Sequence, residues 1–82
     1  MNPYGSYDPE IMGRVLRQAR QARGMSQEVL SGLATLSRSH LAGIETGRIT
    51  PGADTLWRLA QALDQPLSEL IRRVEAQAGP KR

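Results

Sequence analysis

Apolar positions along the chain fall into five short runs, each with helical spacing and each bounded by a start or stop signal. In the first, Met12, Val15, Leu16, Ala19 and Ala22 line one face, while Asp8 can cap, Pro9 fits the first turn, Glu10 complements the helix dipole and Gly24 supplies the stop. Ser26 opens a second run with Val29, Leu30, Leu33 and Ala34, ending near Thr35, and Ser37 opens a third that ends at Gly47. Ile49-Thr50-Pro51-Gly52 is a turn, because the residue before a proline is pushed away from the helical region and glycine bends freely. A fourth helix then places Leu56, Leu59, Ala60 and Leu63 inward. Asp64-Gln65-Pro66 breaks it, and Leu67, Leu70, Ile71 and Val74 form a last amphipathic stripe. Nothing alternates with a period of two and there is no internal repeat. The pattern predicts an all-α domain over residues 9–76, with a flexible arm at 1–8 and a frayed tail at 77–82.

The connection between the second and third helices gives this pattern a direction. Thr35, Leu36 and Ser37 alone separate them, so the two helices must cross steeply, as in a helix-turn-helix unit. Leu30, Ala34, Leu36, Leu41 and Ile44 then share a core, and the other face of the third helix is left free. That free face is what such a unit presents to DNA.

Composition and charge narrow the possibilities. A chain of 82 residues buries only about 60% of the surface its unfolded form exposes, which allows one modest core and no deep pocket. With no cysteine there is no disulfide framework, no Cys-based zinc site and no thiol nucleophile. His40 is the only histidine and has no ligand-spaced neighbour, so no metal is expected. No nucleophile is matched with a base, and there is neither a phosphate-binding glycine-rich loop nor a pair of carboxylates on one face; an enzyme, a cofactor and a small-molecule ligand are therefore not expected. The N-terminal stretch has no basic flank or apolar segment, and no later run approaches the roughly 20 residues that span a bilayer. These features predict a soluble cytoplasmic protein associated with the nucleoid. The net charge of +3 is uneven: residues 11–51 carry six arginines against two acids, a local +4, while the first ten residues carry −2. A basic surface of this kind suits a polyanion, and solvated arginine faces on helices are its ordinary alternative.

The stretch from Gly24 to Leu70, GMSQEVLSGLATLSRSHLAGIETGRITPGADTLWRLAQALDQPLSEL, resembles the Cro/C1-type helix-turn-helix family, also called the xenobiotic-response-element family. The Ser-Gln-Glu opening, the Ile-Glu-x-Gly close, the proline two residues beyond Arg48-Ile49 and the Thr-Leu-x-x-Leu-Ala-x-Ala-Leu helix carry the likeness, which covers roughly residues 13–71. The resemblance implies a five-helix lambda-repressor-like bundle, with helix 2 across the DNA backbone and helix 3 in the major groove. Within the family, Arg38 to Arg48 is most similar to restriction-modification controller proteins. The implied function is a bacterial or phage transcriptional regulator, a homodimeric repressor or autoregulator on an inverted repeat of double-stranded DNA. A protein-binding adaptor or antitoxin-like module would use the same fold. Two residues depart from the pattern. Ser31 stands where alanine is usual and is tolerable if its hydroxyl bonds back to a carbonyl. Thr35 stands where glycine is usual, and a β-branched residue resists positive φ, so a reshaped turn is expected.

Candidate contacts follow from angles on helix 3. With Leu41 and Ile44 inward, the opposite side holds Ser39, Ala42, Gly43 and Thr46, all small, which would let the helix sit close to the groove floor. Packing of Gly43 beside another helix is the competing reading. Arg38 in the first turn and His40 at one flank then have the reach to touch bases, and arginine can take guanine bidentately. Ser39 can bond base or phosphate; Ala42 can meet a thymine methyl or simply fill space. Gln27, at the start of helix 2, and Thr46 and Arg48, at the end of helix 3, are placed for phosphates. Glu45 lies near the inward stripe and needs a cation, and the family resemblance pairs it with Arg20 as a structural ion pair. Trp57, Ile71 and Val74 are expected to form one apolar patch that a two-fold dimer through helices 4 and 5 would bury. The N-terminal arm, without Lys or Arg, is not a DNA clamp; Tyr4 and Tyr7 pack on the domain or the arm is disordered.

Overall fold

The computed structural model describes residues 6–78. Five helices follow in order: α1 (Pro9–Ala22), α2 (Gln27–Leu33), α3 (Arg38–Glu45), α4 (Ala53–Ala62) and α5 (Leu67–Ala78). Among the described residues there is no strand, and no helix is long and apolar enough to cross a membrane. The last helix continues to Ala78, two residues into the expected tail. Residues 1–5 of the expected arm, with Tyr4, and residues 79–82 of the tail lie outside the described residues.

The helix starts are chemically explicit. Asp8 accepts the Glu10 N–H (2.9 Å), Ser26 the Val29 N–H (3.0 Å) and Ser37 the His40 N–H (3.0 Å), each satisfying an amide that has no partner inside its helix. The ends share one device. After α1, α2, α3 and α4 the chain turns through a left-handed residue, Gly24, Thr35, Gly47 and Asp64 in turn. Each turn closes the paired hydrogen bonds of a Schellman motif. At the end of α2, the Thr35 N–H donates to the Gly32 carbonyl (3.2 Å) and the Leu36 N–H to the Ser31 carbonyl (2.8 Å). The turn is therefore not reshaped, contrary to the sequence expectation. Thr35 takes φ +59° and accepts a penalty of about 1–2 kcal/mol, because leaving the carbonyls at the end of α2 unpaired would cost a comparable amount. Ser31 behaves as its size allows: it is buried, and its hydroxyl donates to the Glu28 carbonyl (3.1 Å).

Leu16, Leu30, Leu41, Ile44, Leu59, Leu63, Leu70 and Val15 are fully buried and draw on all five helices, so one core holds the domain. α1 packs on α3 and α5, α2 on α3 and α4, and α4 on α5. Ala22, the last member of the α1 stripe in sequence, is exposed because the stripe has rotated off the core by the final turn.

A close approach of two backbones in the core depends on Gly13. A Cβ there would lie 2.4 Å from the Ile44 carbonyl oxygen and 2.5 Å from that of Glu45. These are backbone atoms at the end of α3, which cannot step aside as a side-chain tip can. Gly47 meets α1 from the other side: its φ is +83°, and a Cβ would fall 2.9 Å from Glu10 Cγ. α1 thus lies almost directly on the end of α3.

Two substitutions test these constraints through urea midpoints at unchanged m. Gly13→Ala should lose about 2–3 kcal/mol or more through overpacking against backbone. Thr35→Gly should gain up to about 1 kcal/mol by relieving the left-handed threonine; a midpoint at or below that of the original protein would remove Thr35 as a source of strain.

Candidate nucleic-acid interface

The exposed face of α3 begins at its cap. With Ser37 holding the first turn, Arg38 and Ser39 project into solvent and form, with Ala42 and with Gln27 from the start of α2, the lining of one open concavity. Four of the residues singled out from sequence are brought together here. His40 sits half-buried beside them.

At the other end of α3 the Thr46 hydroxyl is already engaged. It donates back to the Ala42 carbonyl (3.0 Å), sharing the hydrogen with that of Gly43 (3.2 Å), and accepts from Arg48 Nε at 3.3 Å. Thr46 steers the Arg48 guanidinium, and both residues are exposed.

Gly43 does not lie on the free face. It is buried, and a Cβ there would fall 2.5 Å from Ile49 Cδ1 and 2.9 Å from Cγ1. The chain after α3 folds back over it: the Arg48 and Ile49 N–H groups both donate to the Gly43 carbonyl (2.9 and 3.1 Å). The angular projection erred because it treated α3 as having one inward stripe. The returning loop adds a second covered side, and the missing side chain makes room for Ile49.

Beneath the interface lies a buried polar cluster. Arg20 Nε donates to Glu45 Oε2 at 2.7 Å and Nη2 to Oε1 at 3.0 Å, a bidentate pair whose Glu45 side chain is 1% exposed. Arg20 Nη1 also donates to the Met25 carbonyl (2.8 Å), in the loop between α1 and α2. Gln27 completes the cluster by donating from Nε2 to Glu45 Oε1 (3.0 Å). One guanidinium and one carboxylate therefore join α1, the α1–α2 loop, the start of α2 and the end of α3.

The sequence profile of the helix-turn-helix family matches residues 16–70, which contain all of α2, α3 and α4. The chain belongs to this family. It is 42% identical over 59 residues to the HTH-type transcriptional regulator y4dL of Sinorhizobium fredii, an alignment covering 72% of this chain and 30% of that protein. It is 37% identical over 62 residues to the transcriptional regulator ClgR of Mycobacterium tuberculosis, covering 76% of this chain and 55% of ClgR. The chain thus spans about a third to a half of these relatives. Among solved structures, the restriction-modification controller protein C.AhdI of Aeromonas hydrophila superposes with a TM-score of 0.76 at 40% identity, covering 77% of this chain and 96% of that one. The five-helix, strand-free arrangement of the described residues is the lambda-repressor-like bundle of the Cro/C1-type members of the family.

The expected apolar patch is divided. Trp57 is 57% exposed and lines a hollow with Ala60, Pro66 and Leu67. Ile71 lines a different one together with Val74, Tyr7, Met12 and Leu56. Val74 is 6% exposed and belongs to the core. Its place in the α5 stripe marks it as inward, as it does Leu70; only packing shows that Ile71 is left half-buried at the core's edge. Gly13 was also missed from sequence, although its signal, a glycine within a helix, is the one that drew attention to Gly43.

The ion pair gives a stability test in this family's own frame. Removing one partner, as in Arg20→Met or Glu45→Met alone, should cost about 3–5 kcal/mol by stranding a buried charge, whereas the double replacement should recover most of that loss. Chemical denaturation of the two single variants and the double closes the cycle; a double variant that is no more stable than the singles would show that the pair does more than balance charge.

Proposed function

We propose that this chain is a sequence-specific double-stranded-DNA-binding transcriptional regulator that acts as a homodimeric repressor or autoregulator on an inverted repeat. The observation that carries the proposal is the concavity at the α2–α3 junction, where Gln27, Arg38, Ser39 and Ala42 meet on an exposed, basic face of a helix-turn-helix unit. Arg38 reads bases, with guanine O6 and N7 as its natural target. Ser39, His40 and Ala42 are the further base-side residues. Gln27 and Arg48, the latter steered by Thr46, hold the phosphate backbone and fix the register of α3 in the groove. Gly43 acts from behind, by seating Ile49. The regulatory role is supported by the names of the relatives, and dimerisation by the exposed Trp57 and the half-buried Ile71 on the α4–α5 side.

A protein-binding adaptor is the second reading, favoured by the exposure of Val29 (50%) and Leu33 (60%) along α2. Salt separates the two. A DNA binder loses affinity with a log–log slope of roughly −0.9 for each phosphate it neutralises, and an apolar protein contact does not.

Selection from a random duplex library at physiological salt should enrich an inverted repeat with half-sites about one helical turn apart. No enrichment, together with no salt-sensitive retention, would favour the adaptor. On the enriched site Arg38→Ala should cost roughly 1–3 kcal/mol and relax base preference. Equal losses on cognate and scrambled duplexes would remove its base-reading role. Sedimentation velocity should show a dimer that Trp57→Glu or Ile71→Glu converts to a folded monomer; an unchanged dimer with both substitutions would put the interface elsewhere.

A further inference from the structure

We infer that Glu45 is a positioning residue for DNA-backbone recognition, holding the Gln27 carboxamide in a fixed orientation at the edge of the interface. The inference rests on the DNA-binding reading and deepens it. Glu45 neutralises Arg20 through Nε and Nη2, and that alone would make the pair an internal brace. The third donor is different in kind. Gln27 is half-buried and lines the open concavity with Arg38, Ser39 and Ala42, so its bond to Glu45 Oε1 at 3.0 Å runs from the buried cluster to the binding surface.

The chemistry of the partner fixes the orientation. A carboxylate bound to arginine only accepts, so the nitrogen of the carboxamide must face it. The amide is planar; once one N–H is committed to Glu45, the direction of the other is set. Among the described residues Gln27 makes no other side-chain hydrogen bond, which leaves the second N–H to donate to a phosphate oxygen. A free glutamine would lose its rotamer freedom on binding; this one has lost it on folding.

The same contact ties Gln27 to the end of α3. Glu45 is the last residue of α3, and Gln27 the first of α2, so the backbone contact and the base-reading helix are referred to one carboxylate. An error in the tilt of α3 would be felt at Gln27 directly.

The test is a double-mutant cycle on the duplex enriched by selection, with full-length protein. Gln27→Met keeps the side chain's length and removes its donors, and should weaken binding about tenfold. The Arg20→Met/Glu45→Met variant removes the carboxylate without stranding a charge. It should melt cooperatively, bind about tenfold more weakly, and keep the original ratio of cognate to scrambled affinity. Adding Gln27→Met to it should then cost less than twofold. If the double variant binds like the original protein and Gln27→Met still costs tenfold upon it, Glu45 is a brace only and the inference fails. A fall in the cognate-to-scrambled ratio would trace the loss to a displaced α3 and would equally overturn it.

A measurement on the unaltered protein covers the case in which the double variant does not fold. The Gln27 side-chain amide should show an order parameter near that of rigid backbone, about 0.85, in the free protein and in the DNA complex; a value below about 0.6 in the free protein would overturn the proposal. Because the free protein suffices, failure to retain any duplex would defeat the DNA-binding reading separately, and the order parameter would still decide whether Glu45 holds Gln27.

Discussion

The bidentate pair between Arg20 and Glu45 is the contact on which the arrangement of the first three helices turns. A buried carboxylate and guanidinium are each costly to remove from water, and their mutual attraction compensates only when geometry is good and the remaining donors are satisfied. Both conditions are met: Nε and Nη2 take the two carboxylate oxygens, and Nη1 takes the Met25 carbonyl. The consequence is directional. Unlike apolar packing, a forked pair with three hydrogen bonds has a fixed orientation for each of its partners. It joins the end of α3 to α1, and through Gln27 to the start of α2, while the close backbone contact at Gly13 holds α1 and α3 together independently of it.

That pair can form only because the backbones come close. Gly13 removes the one atom that would collide with the last carbonyls of α3, and Gly47 lets the chain leave α3 without striking α1. The two glycines lower the helical and conformational preference of their segments, and the loss is offset by the contact they permit. Gly43 repeats the logic one layer out, where Ile49 closes over the helix. Three of the glycines are thus packing devices along a single line of contact between α1, α3 and the loop that follows it. In the same way, four helices end in the same hydrogen-bonded turn although only two of the left-handed positions are glycine; the demand of the orphan carbonyls outweighs the preference of Thr35.

With α3 held from behind by α1 and Ile49, the residues that remain outward are few: Arg38 and Ser39 in the first turn, Ala42 in the second, and Thr46 with Arg48 at the close. Rigidity and exposure are divided cleanly along one short helix. The face that packs is fixed by hydrogen bonds, an ion pair and close backbone contact, and the face that is free carries polar side chains and the small Ala42 on a stable base. This division suits recognition of a regular polyanion, in which side chains must meet a preset spacing of groove and phosphate.

The number of helices, their starts and their stops were determined by the sequence, because capping, proline and glycine signals act within a few residues of where they stand. So were the crossed arrangement of α2 and α3, forced by a short connection, and the membership of Leu30, Leu41 and Ile44 in a shared core. The Arg20–Glu45 pair was available from family resemblance, but its third partner was not, since nothing local to Gln27 announces a carboxylate eighteen positions away. The role of Gly43 could not be read from angles on an isolated helix, because it depends on a loop that returns over that helix. Trp57, Ile71 and Val74 share an apolar character in sequence, but in space Trp57 lines one hollow and Ile71 another, at whose base the packing of α5 against α1 and α4 buries Val74. Local chemistry settled what each segment becomes; only the meeting of segments distant in the chain settled which of their faces is left for a partner.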